Sequence, residues 1–270
     1  MTVSRDDWAA YVGRYHDERA GITEELLAPA RDDAGRSPYD WLLETAPGDG
    51  LVVDLCCGSA PVGRRLARST PYVGVDRSGG ELARARCDCA PAVGAGLVRA
   101  DAASLPLRSA SAATVVASMA LMVLPRLDSV LAEVGRVLRP EGTLVATVPV
   151  RGGAGDDGSV ACFRDMLAAL GQTGLAYPEP LDPSTLPARF AAAGLELVGD
   201  ERGRFVRPVA EGECTMVARS FYAVGSGADA VERAATRLRQ RLASGTAELV
   251  YPLRRLTALR RPSVGRRKED

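Results

Sequence analysis

Residues 51–60 read Leu-Val-Val-Asp-Leu-Cys-Cys-Gly-Ser-Ala. Leu51–Leu55 is a short apolar run of β type, and the small residues after it let the backbone turn sharply and come close to a ligand. A strand that ends in an acid and passes through small residues into a helix is a nucleotide-site geometry, with Asp54 at the mouth of the turn. Tyr72–Val75 is a second strand, and it leads to Asp76, eighteen residues after Gly58. A carboxylate there accepts hydrogen bonds from both hydroxyls of a ribose. Gly96–Val98 leads to Asp101, whose carboxylate suits an exocyclic amine such as that of adenine. Thr114–Ala117 leads to a loop with Ser118 and Met119, and Thr143–Val148 is a fifth run. Between the strands lie helical stretches such as 128–138, where Val130, Leu131, Val134, Val137 and Leu138 form one stripe that Pro140 and Gly142 stop.

Strands alternating with helices predict βαβ units and a parallel sheet, with right-handed crossovers and the ligand at the carboxyl ends of the strands. A single strand-end acid is often just a helix cap. Acids at successive strand ends, in order, match an adenosine ligand without phosphate. A dinucleotide site would want amide donors and a glycine-rich turn for pyrophosphate.

The flanks differ in style. Residues 1–47 read as a helical cap. Trp8, Tyr11, Val12 and Tyr15 share one helix face, Gly21 breaks that helix, Thr23 starts a second, and Ser37-Pro38-Tyr39-Asp40 starts a third. After the core at 48–150, the segment 151–263 continues the same domain. It opens on a Gly/Asp-rich loop at 152–158 and has helices at 160–171 and 184–193, the latter ended by Gly194. A strand follows at 195–209. A helical insertion then carries Val231, Ala234, Ala235, Leu238 and Leu242 on one face, and a last strand runs over 247–258. These two strands predict an antiparallel edge. Segments 155–185 and 211–244 are candidate lids, and 264–270 is expected to be a flexible tail.

Composition narrows the classes. Of 270 residues, 34 are basic and 34 acidic, so the formal net charge is zero and no general field gathers nucleic acid or anionic membrane. The basic set holds one lysine, Lys268, which is read as genome bias. An apolar fraction of 46% fills a core and excludes disorder of the whole chain. No apolar run approaches the ~20 residues of a membrane span, and the start lacks a secretory signal, so a cytoplasmic location is expected. Six cysteines are read as reduced thiols, with no metal site expected.

Residues 50–150 resemble class I S-adenosylmethionine-dependent methyltransferases, closest to the small-molecule group of ubiquinone/menaquinone-biosynthesis (type 11) enzymes. The family's D-x-G-x-G-x-G motif corresponds to Asp54 through Ala60, with Cys56 and Ala60 at glycine positions and Gly58 retained. Asp76, Ala100-Asp101-Ala102, Leu105-Pro106-Leu107 and the 136–144 stretch Arg-Val-Leu-Arg-Pro-Glu-Gly-Thr-Leu also match. The resemblance implies a Rossmann-like doubly wound sheet of seven strands, mostly parallel with an antiparallel last strand. It also implies S-adenosylmethionine as cofactor, S-adenosylhomocysteine as product and a small-molecule acceptor. Asp54, Cys56, Gly58, Ala60, Asp76, Arg77, Asp101, Ala102, Ser118 and Met119 become candidate cofactor contacts. The Asn/Asp-Pro-Pro-aromatic turn of nucleobase-amine enzymes is absent after the fourth strand, where Met119-Ala120-Leu121-Met122 suits an apolar or aromatic acceptor.

Methyl transfer is an in-line displacement in which the protein chiefly supplies position. His16, the one histidine, is the first candidate general base, the other reading being a hydrogen-bonded lid histidine. Tyr11 and Tyr15 are candidates for contact with the cofactor, or simply pack. The arginines at 254, 255, 260, 261, 266 and 267, with Lys268, read as a solvated strand edge and tail; an RNA methyltransferase would instead use them on its substrate. A non-catalytic adenosine-ligand binder is the third reading. Nucleic acid is not the expected partner, and the expected state is a monomer or homodimer.

Overall fold

The computed structural model describes residues 4–46, 49–66, 69–89, 96–150, 158–175, 177–178, 181–245 and 249–262. Three helices open the chain: α1 (Arg5–Glu18), α2 (Ile22–Leu27) and α3 (Pro38–Leu43). The Ser4 hydroxyl caps α1 by accepting from the Asp7 amide. Ser37 and Asp40 form a reciprocal capping box on α3, with Pro38 in its first turn, as the sequence predicts. The second helix starts at Ile22 rather than at a Thr23 cap. Gly21 reaches φ 85° there, a conformation that a β-branched threonine disfavours.

The core strands are β1 (Val52–Leu55), β2 (Tyr72–Asp76), β3 (Leu97–Arg99), β4 (Ala112–Ser118) and β5 (Leu138–Pro149). Helix α4 (Gly79–Asp88) lies between β2 and β3, and α5 (Leu127–Val137) between β4 and β5. The C-terminal part adds α6 (Gly158–Ala169), α7 (Leu186–Ala192), β6 (Leu195–Arg207), α8 (Cys214–Arg219), α9 (Ala228–Ala243) and β7 (Leu249–Arg260). The sheet has seven strands in the order β3-β2-β1-β4-β5-β7-β6. β1 to β5 pair in parallel, and β7 is antiparallel to both its neighbours.

Alternation along the central strands serves two cores. Val53, Leu55, Val115, Ala117, Leu144 and Ala146 face one layer, where the α5 stripe packs. Val52, Val116 and Val145 face the other, with α3, α6, α8 and α9. Both faces are covered, which is why these strands read as continuous apolar runs.

β6, not β7, is the sheet edge. β7 lies between β5 and β6, so Arg254 and Arg255, expected on a solvated edge, are only 5% and 4% exposed. Arg254 forms a fork to Asp200 at 2.9 and 2.6 Å. Arg255 pairs with Glu201 at 2.8 Å and Glu44 at 3.1 Å and lies over the Trp41 ring. Arg260 donates to the Leu138 carbonyl, and Arg261 pairs with Glu196 at 3.3 Å. Arg266, Arg267 and Lys268, the tail from 264 and most of the Gly/Asp-rich loop lie outside the described residues.

The end of α1 is clamped to the start of α4. The Asp17 carboxylate accepts from the Ser78 hydroxyl at 2.7 Å and from the Gly80 amide at 3.1 Å. A Cβ on Gly80 would sit 2.6 Å from the Asp17 carbonyl oxygen, so only glycine permits the approach. Gly80→Ala should therefore cost about 1–3 kcal/mol of stability, as overpacking does. Urea unfolding at wild-type stability would contradict the close packing of α1 on α4.

Candidate functional site

Parallel pairing brings the carboxyl ends of β1, β2 and β4 to one edge of the sheet, and a crevice opens there under α1. The turn after β1 carries Cys56, Gly58 and Ala60 at φ 56°, 52° and 58°. Left-handed backbone costs roughly 1–2 kcal/mol for a residue with a Cβ. The two family glycine positions taken by Cys56 and Ala60 thus keep a glycine-like conformation under strain, which suits a functional turn. Specific bonds hold it: the Cys57 amide donates to the Val75 carbonyl at 3.0 Å, and the Gly58 amide donates to Asp76 Oδ2 at 2.9 Å.

Asp76 lies in the crevice wall, its Oδ1 accepting from the Ser78 amide at 2.8 Å. Burial raises its carboxyl above the ordinary range, against the lowering by the Ser78 and Gly58 amides. Asp54 is 2% exposed and accepts from the Tyr72 hydroxyl at 2.9 Å. Burial pushes its pKa up to about 7. Ser118 lines the same crevice, as does Met119, which has φ 55° and donates its amide to the Thr147 carbonyl at 2.8 Å.

Asp101 and Ala102 lie further along, in a second lobe. Cys56, Arg77, Leu124 and Pro125 line both lobes and join them into one crevice. Asp101 is half-exposed; it accepts from the Ala103 amide at 2.8 Å and pairs with Arg126 at 3.0 Å.

Helix α1 presents two faces. Ala9, Val12, Gly13 and His16 line the crevice. Tyr11 and Tyr15 do not; they line a separate cavity, and Tyr15 donates to the Arg219 carbonyl at 3.0 Å. The aromatic stripe read from the sequence is thus a packing face, because the helix turns its neighbouring face to the ligand side. His16 Nδ1 is 2.8 Å from Glu81 Oε1, and Nε2 is 2.9 Å from the Tyr222 hydroxyl. Glu81 is 2% exposed, and its Oε2 accepts from the Gly21 amide at 2.8 Å.

Glu81 and Tyr222 were not among the sequence candidates. Glu81 had a signal: it is the acid on the buried face of α4 with Leu82 and Ala85. Tyr222 had none, since it reaches the crevice from the insertion between β6 and β7. Among the described residues no His, Cys, Asp or Glu group is arranged to hold a metal, and all six cysteines are free thiols.

Ala60→Gly should stabilise the protein by about 1 kcal/mol by relieving the positive φ; a lower midpoint in urea would argue against strain there. Asp54 has a folded pKa above its unfolded one, so its contribution is fully present below about pH 4 and is lost as pH rises to about 7. Asp54→Asn should therefore raise the ligand-free melting temperature at pH 8 more than at pH 5, and equal shifts at both would refute the raised pKa.

Residues 52–142 match the methyltransferase domain family. An uncharacterized chloroplastic methyltransferase of Arabidopsis thaliana is 34% identical over 132 residues, covering 46% of this chain and 37% of that protein. A malonyl-[acyl-carrier protein] O-methyltransferase of Hahella chejuensis is 34% identical over 133 residues, covering 47% of this chain and 46% of that protein. The matched region thus spans less than half of either relative. Among solved structures, a Bacillus halodurans protein described as a putative methyltransferase superposes with a TM-score of 0.58 at 15% identity, covering 83% of this chain and 99% of that one. The [4+2]-cyclase SpnF superposes with a TM-score of 0.58 at 20% identity, covering 93% and 95%. Residues 52–142 thus match the methyltransferase domain model, and the seven-stranded sheet of this order shares its fold with these solved structures.

Proposed function

We propose that this protein transfers a methyl group from S-adenosylmethionine to an O, N or C nucleophile of a small apolar or aromatic metabolite. The observation that carries the reading is the pair of buried carboxylates, Asp54 and Asp76, on either side of the left-handed turn at Cys56–Ala60. Asp54 fits the cofactor's ammonium group: a buried acid with one hydroxyl partner gains most from a cation. Asp76 keeps acceptor capacity on both oxygens beyond its two amide partners, enough for a pair of ribose hydroxyls. Asp101 and Ala102, with Arg77 nearby, would hold the adenine end. Cys56 and Gly58 would give the methionine part a close backbone surface, while Ala60 is fully buried and does not line the crevice.

When bound, S-adenosylmethionine supplies an electrophilic methyl group on a sulfonium. The chain's own part is to bind, orient and exclude water. Val12, Met119, Val123, Leu124 and Pro125 make an apolar wall beside the polar end of the crevice, suited to a greasy or flat acceptor. The insertion that brings in Tyr222 would close over it as a lid. The RNA reading is the weaker one, because Arg254, Arg255 and Arg260 are engaged within the fold.

S-adenosylhomocysteine should stabilise the protein in a thermal-shift titration while NAD does not. Absence of any response to S-adenosylhomocysteine or S-adenosylmethionine would remove the cofactor assignment. Asp76→Ala should weaken binding by calorimetry at least about tenfold, since it leaves ribose hydroxyls and the Gly58 amide without their acceptor. Unchanged affinity would rule out that role.

A further inference from the structure

We infer that Glu81, His16 and Tyr222 form a proton-relay line, and that the methyl acceptor is therefore a hydroxyl or amine that carries the proton it must lose, not a carboxylate. This rests on the methyl-transfer reading above and assigns the acceptor's chemistry within it. The three side chains come from distant parts of the chain, α1, the first turn of α4 and the insertion after α8, yet they meet within hydrogen-bond distance at the crevice wall.

The direction of the line follows from its members. The Glu81 carboxylate only accepts, so the proton between it and His16 sits on Nδ1. In the neutral ring Nε2 is then an acceptor and takes the hydrogen of the Tyr222 hydroxyl. The Tyr222 oxygen is left with lone pairs for one more donor. Glu81 cannot swing away, because it is buried and its second oxygen holds the Gly21 amide. The Tyr222 ring is fixed by Tyr15 at 4.7 Å and Trp8 at 5.9 Å between centroids. Burial pushes the Tyr222 phenol well above its ordinary range, so it passes a proton on rather than resting as phenolate.

The acceptor oxygen or nitrogen bonds the methyl carbon as the methyl–sulfur bond breaks and its electron pair stays on sulfur. The acceptor's proton passes to the Tyr222 oxygen while the Tyr222 proton passes to Nε2, leaving an imidazolium beside Glu81. An anionic acceptor would bring no proton to this line and would enter a crevice whose charged lining sets Glu24, Asp54, Asp76 and Glu81 against Arg77 alone among the arginines.

The single histidine makes the test direct, because ¹⁵N-histidine labelling of the full chain reports His16 alone. With S-adenosylhomocysteine bound, neutral His16 should show the Nδ1–H tautomer. Glu81→Gln should invert it: the Gly21 amide claims the new amide oxygen, so the NH₂ donates to Nδ1 and the proton moves to Nε2. Tyr222→Phe should keep the Nδ1–H tautomer and slow transfer at least tenfold, measured with methyl-labelled S-adenosylmethionine and a small-molecule extract of the source organism. The labelled product should survive mild alkali as an ether or amine. An Nε2–H tautomer in the wild type, no inversion in Glu81→Gln, full transfer by Tyr222→Phe, or label released as methanol from an ester would each overturn the assignment, as would cofactor binding with no labelled product. Failure of the wild type to bind S-adenosylhomocysteine would instead sink the cofactor reading itself, so the two failures are told apart.

Discussion

Parallel pairing of β1, β2 and β4 is the constraint on which the site depends. Parallel strands all end on the same side, so the residues that follow them converge there without further design. The register puts Asp54 of β1 beside Gly74 of β2, and the next turn comes within reach of Asp76. Two bonds, the Cys57 amide to the Val75 carbonyl and the Gly58 amide to Asp76, then tie the strained turn to the neighbouring strand end. The left-handed residues on both sides of Gly58 are tolerable because that turn is held by the sheet rather than by its own preferences.

Charge is distributed on the same logic. Zero net charge conceals a crevice whose charged lining is mainly acidic and a C-terminal strand that carries arginines. Burial raises Asp54 and Asp76 above the usual carboxylate range. The arginines are neutralised in place: Arg254 by Asp200, and Arg255 by Glu201 and Glu44. Arginine suits this use because its planar fork matches a carboxylate and remains charged when buried. The same residue type that suggests a nucleic-acid surface in the sequence here pairs the interior strand β7 with acids on neighbouring elements.

Helix α1 links fold and site. Its Trp8 indole donates to the Val123 carbonyl at 2.8 Å, which fixes the helix to the loop after β4. Asp17 fixes its other end to α4. With both ends anchored, His16 faces Glu81 while Tyr11 and Tyr15 lie on the neighbouring face, lining a separate cavity. A rotation of one residue would exchange these roles, since adjacent positions on a helix point about 100° apart.

The sequence by itself determined the strands from 51 to 148, the α5 stripe, the Ser37 capping box and the acids at three strand ends. All of these are local: a period of two or of 3.6, a cap three residues from its partner, an acid at the end of an apolar run. It could not determine that β7 enters the sheet between β5 and β6, because pairing partners far apart in sequence leave no periodic trace. It also could not separate the two faces of α1, where Tyr11, Tyr15 and His16 are all plausible ligand contacts until a neighbouring element chooses one side. Glu81 was visible as an acid on an apolar face, but its partner lies 65 residues away, and Tyr222 lies 206 residues from His16. Only the tertiary structure brings those three together, because side-chain hydrogen bonds form across whatever surfaces the core packing leaves facing each other.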